Sequence, residues 1–99
     1  MSQFSFELTQ KIKLQIPAVD LDAVQRICDM TTQAFQAAQR LSLDISIEQE
    51  ETGPALFLTL DTHGMDFNEQ LACEAQLRAA IQADRQLVEA KRYLVISVM

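Results

Sequence analysis

A chain of 99 residues, 48% apolar and 22% charged, can bury one hydrophobic core and is too short for two. No apolar run approaches the roughly 18 residues a membrane span needs, and the opening MSQFSFELTQ lacks a basic stretch followed by an apolar one, so neither a spanning helix nor a secretory leader is expected. A net charge of −6 argues against nucleic acid as a direct partner, because phosphate binding needs clustered Lys and Arg.

The first segment alternates with period two. Phe4, Phe6, Leu8, Ile12, Leu14 and Ile16 share one parity, and Ser5, Glu7, Thr9, Lys11, Lys13 and Gln15 the other. This predicts a half-buried strand, bent near Gln10 where the apolar parity breaks, and ended by Pro17, which has no N–H to give a ladder. Asp20 suits a helix N-cap, and Leu21, Val24, Ile27, Cys28, Thr31, Phe35, Ala38 and Leu41 recur at spacings of three and four. They predict an amphipathic helix over about 21–41.

Leu43, Ile45 and Ile47 alternate with Asp44, Ser46 and Glu48, and Leu56, Leu58 and Leu60 alternate with Phe57, Thr59 and Asp61. The turn residues 50–54 between them complete a predicted hairpin with a loop of moderate length. Asp66 or Asn68 can cap a second helix carrying Phe67, Leu71, Cys73, Ala75, Leu77, Ile81 and Val88. Asp84 interrupts that apolar stripe, so the helix kinks there or Asp84 caps a separate short turn over about 85–91. Residues 93–99 have strong β propensity and predict a C-terminal strand.

The order β-α-β-β-α-β, with right-handed crossovers, predicts a single α+β domain over residues 1–99. Its expected form is a two-layer, ferredoxin-like sandwich: a four-stranded antiparallel sheet, first and third strands central, with two helices on one face.

Candidate chemistry is sparse. His63 stands between Asp61 and Asp66 across a glycine turn, a pattern equally expected of any acidic turn. Cys28 and Cys73 fall in apolar helical stripes without CxxC spacing and read as reduced core thiols of a cytoplasmic protein. Gly53 and Gly64 form no phosphate loop. No catalytic, cofactor or metal residue is assigned; the sequence leans away from an enzyme and leaves the question open.

Two surface features stand out. Leu94, Ile96 and Val98 account for a core face of the last strand, yet Tyr93, Val95 and Met99 are apolar as well. With Phe57 they form an expected homodimer interface on the opposite face. No Lys or Arg occurs between Arg40 and Arg78, a window holding eight acids, whereas residues 78–99 carry four bases and two acids. Asp44, Glu48, Glu50 and Glu51 are the expected protein-binding surface at one edge of the sheet, grading into Lys11 and Lys13 on the central first strand and suited to a partner with a basic surface. The expected function is therefore a small acidic adaptor, inhibitor or regulator. The alternative is a ligand-binding sensor or dimeric enzyme with a pocket between the sheet and a partner subunit, and a structural subunit of a larger assembly comes third.

Overall fold

The computed structural model describes residues 5–38 and 40–99; the expectations placed on Phe4 and at position 39 lie outside them. Four helices and three strands follow in the order α1 (Phe6–Gln15), α2 (Leu21–Ala34), β1 (Ser42–Glu50), β2 (Gly53–Asp61), α3 (Phe67–Gln82), α4 (Arg85–Lys91) and β3 (Leu94–Val98).

The first segment is a helix, not a strand. Ser5 caps it, its Oγ accepting from Leu8 N at 3.1 Å, while Thr9 Oγ1 donates to Ser5 O at 3.0 Å. Leu8, Ile12 and Ile16 share a parity but are also spaced by four, so they line one helical face and pack into the core. Phe6 and Leu14, which a strand would bury beside them, are each 81% exposed. Gln10, between them on that outer face, is the residue that broke the strand parity.

Losing that strand changes the sheet. In the ferredoxin-like arrangement the first strand would separate the third from the last; here no strand intervenes, and β3 pairs directly and in parallel with β2. The sheet is therefore three-stranded and mixed, in the order β1-β2-β3, with β1 and β2 antiparallel. The α+β class holds; the four-stranded antiparallel sheet does not.

The hairpin is tighter than expected. Glu50 pairs with Gly53 across a two-residue turn, Glu51-Thr52, and Gly53 takes φ +121°, which favours glycine. Helix α2 stops at Ala34 instead of reaching 41. Thr31 and Thr32 near its end bond back to Ile27 O (2.7 Å) and Cys28 O (3.0 Å), and Phe35 leaves helical geometry with φ −106°, ψ 21°. Asp84 begins a separate helix, accepting from Gln86 N at 2.9 Å.

The core lies between one face of the sheet and the helices. Leu56, Leu58 and Leu60 of β2 are fully buried against Ile12, Val24, Ile27, Phe35, Leu77, Ile81 and Leu87. Each such side chain contributes about 1.5–3 kcal/mol of burial free energy. A polar clamp ties α2 to α4 at the surface. Asp20 caps α2 and accepts from Gln86 Nε2 at 2.7 Å; Arg26 donates to Gln86 Oε1 at 3.0 Å and to Asp84 Oδ2 at 2.7 Å. The hydrogen bond from Gln86 lowers the Asp20 carboxyl below its usual range, and the one from Arg26 lowers that of Asp84.

Candidate functional site

β3 is an edge strand. Tyr93 O accepts from Leu56 N, and Met99 both donates to Leu60 O and accepts from Thr62 N. By strand alternation the N–H and C=O groups of Leu94, Ile96 and Val98 then point away from β2, towards an edge that no described strand pairs. One outward group is already touched: Lys91 Nζ lies 3.5 Å from Leu94 O.

Beneath this edge runs a groove of about 350 Å³, lined by α3, α4 and β3. Leu77, Ile81, Val88 and Ile96 form its apolar surface; Glu74, Arg78, Gln82 and Lys91 complete its lining. The groove exists because α3 packs on α2 and α4 and commits only Leu77 and Ile81 to full burial over sixteen residues. Phe67 (68% exposed) and Leu71 (47%) continue the Glu74–Arg78 stripe towards the helix start. That start lies at the far end of β3, since Gln70 Nε2 donates to Thr62 Oγ1 and Thr62 Oγ1 donates to Met99 O.

Among the described residues, no helix covers the sheet face turned away from the core. Phe57 and Val95 are direct partners across β2 and β3 and lie outside the core cluster, with Val95 39% exposed. Met99 is exposed at the strand's end, but Tyr93 is half-buried against the core and takes less part in that patch. On β1, Asp44, Glu48 and Glu50 share the same uncovered face, all exposed, and Glu51 sits in the adjoining turn. Lys11 and Lys13 are not on the sheet: they lie on helix α1, where Lys11 reaches Glu7 at 3.6 Å. The expected gradient across the sheet face therefore loses its basic side, since no strand carries Lys11 and Lys13. Acids mark the β1 edge, and Arg78, Arg85, Lys91 and Arg92 belong to the helices leading into β3.

Comparison with protein-family models, curated proteins and solved structures gives no match.

One constellation escaped the sequence. Ser42 at the start of β1 pairs in register with Asp61 at the end of β2, and His63 follows in the next turn at φ +46°. Ser42 Oγ lies 2.9 Å from His63 Nε2, and His63 Nδ1 lies 3.7 Å from Asp61 Oδ1. Serine, histidine and aspartate in this order suggest a nucleophile and its base. The geometry does not complete one. Asp61 Oδ1 accepts instead from the His63 backbone N–H at 2.9 Å, an ordinary turn contact, and 3.7 Å is too long for it to orient the ring. None of the three lines the groove beneath β3 or the one between α1 and β1. Asp66 is occupied as the N-cap of α3.

The cysteines take no part either. Cys28 is buried, and burial, with the nearby Asp29 charge second, pushes its thiol up to about 12. A thiol held protonated is a poor nucleophile. Cys73 is half-buried on α3. Among the described residues no three His, Cys, Asp or Glu side chains gather as a metal site, and no helix is long and apolar enough to cross a membrane.

Proposed function

We propose that this chain is a non-enzymatic binding module that acts by protein–protein contact, with the open β3 edge and the groove beneath it as its principal surface. The observation that carries this reading is a strand with apolar side chains on both faces, Ser97 excepted, with outward backbone groups at Leu94, Ile96 and Val98, running over an apolar groove. Edge strands are normally kept short, charged or covered, and pairing with another chain satisfies their backbone groups. The acidic β1 edge, with Asp44, Glu48, Glu50 and Glu51, steers encounter with a basic surface on the partner. An adaptor, inhibitor or regulator of the cytoplasm suits two free thiols.

A second reading rests on the Phe57–Val95 pair, which favours a homodimer by stacking of the uncovered sheet faces. One comparison separates these readings. Captures from host lysate by the wild-type chain and by Ile96→Asp are matched for folded content by circular dichroism, with the mass of each chain measured by light scattering. Partners held by the wild type and lost by Ile96→Asp support the edge; identical captures rule it out. A dimer dissolved by Val95→Lys but not by Ile96→Asp assigns self-association to the sheet face.

A further inference from the structure

On the premise that β3 is a contact edge, we infer that its occupant is an extended acidic peptide segment, which adds as a fourth strand and sets an apolar side chain into the groove between α3 and β3. Three features of the groove specify this chemistry. The first is backbone: the outward N–H and C=O groups of Leu94, Ile96 and Val98 call for a strand, and a helix laid in the groove leaves them unpaired. The second is shape. Leu77, Ile81, Val88 and Ile96 line a groove of about 350 Å³, at the low end of ligand-pocket volumes and with ample room for an anchoring apolar side chain.

The third is charge. Asp84 is neutralised by Arg26 at 2.7 Å and Glu89 by Arg92 at 3.4 Å, so the acids of this region are already engaged. Arg78 and Lys91, both exposed on the groove, have no ion pair among the described residues, and Glu74 is the one acid lining it. The unengaged balance of the groove is positive although the chain carries −6. Carboxylates two positions before and after the apolar anchor fall on the same side of an added strand and reach towards Arg78 and Lys91. A second copy fits less well, because two-fold pairing of β3 with itself turns both cationic rims towards each other. In the free protein Lys91 rests on Leu94 O and shields the edge; an incoming carboxylate draws it off.

The test is selection of a displayed library of random linear peptides on the full chain. Recovered peptides are then titrated by fluorescence anisotropy and mapped by amide NMR. Peptides with an apolar residue flanked by carboxylates, shifting the amides of Leu94, Ile96 and Val98, are the expected result. Their affinity should fall on the order of tenfold or more in Arg78→Glu/Lys91→Glu, and also with added salt. Both side chains are exposed and make no ion pair among the described residues, so the double variant should fold, as its amide spectrum will report. Peptides that map to β3 but lack acids, or ignore the double variant, overturn the acidic occupant and leave the contact edge standing. Failure to select any peptide, or shifts confined to other surfaces, overturns both.

Discussion

The two edges of the sheet are built on opposite plans. β1 carries Asp44, Glu48 and Glu50 on its uncovered face, pairs along nine residues with β2, and closes in a two-residue turn. β3 is five residues long, apolar on both faces except at Ser97, and shielded by a single lysine on one carbonyl. Charged side chains along an exposed strand oppose pairing with another chain, so β1 has the protection an edge ordinarily receives. β3 lacks it, and helix α3, which shares the groove with β3, leaves Phe67 and Leu71 exposed. The difference is the reason we propose β3, and not β1, as the contact edge.

The strand between the edges supports both. Leu58 is fully buried and pairs with Ile45 on one side and Ile96 on the other. Leu58→Ala should cost about 2–5 kcal/mol, read as a lowered urea midpoint. If the two edges are one cooperative sheet, the amides of β1 and β3 lose exchange protection together. Separate loss in β3 alone would show that the open edge is also the locally unstable one.

How far this contrast could be read from the sequence depends on the residues. The doubly apolar run 93–99 and the absence of bases between Arg40 and Arg78 are local patterns, visible without a fold. The hairpin and the caps at Asp20, Asp66 and Asp84 were equally accessible, because each rests on neighbours a few residues apart. The groove was not. It depends on which face α3 turns to α2, and the stripe through Phe67 and Leu71 read as a core face until that packing was known. The first segment failed for a different reason: positions 8, 12 and 16 satisfy period two and a spacing of four alike, and only Gln10 distinguished them. Ser42 and His63, 21 residues apart, meet only because β1 and β2 pair in register.

A smaller effect tests what holds the β3 side to the rest. Asp84→Asn keeps a capping side chain on α4 but loses the charge that Arg26 engages. The Asp84 carboxyl is lowered from 3.8 in the folded chain, chiefly by the Arg26 hydrogen bond, so its ionised form favours folding. That stabilisation is present above about pH 3.8, the unfolded value, and is lost as pH falls through the lower folded value. Urea midpoints of the wild type should therefore exceed those of Asp84→Asn at pH 7 and converge with them in strong acid. A constant gap at every pH would mean that the charge is not what Arg26 holds.

The smallest effect expected on stability is also the one that sharpens the edge contrast most. Val95→Lys gives β3 a charged side chain on the face where β1 is charged already, though of opposite sign, at an exposed position outside the core cluster. Its stability should lie within about 0.5 kcal/mol of the wild type, as is usual for surface substitutions. Cys28 supplies an internal control, because its thiol, buried and pushed up to about 12, should resist alkylation while the fold is intact. Protection of Cys28 in the variant, together with reduced association at high concentration, assigns the change to the surface alone. Alkylation of Cys28 as fast as in urea would instead show that Val95 supports the core, and that β3 is less exposed in solution than its neighbours on the sheet imply.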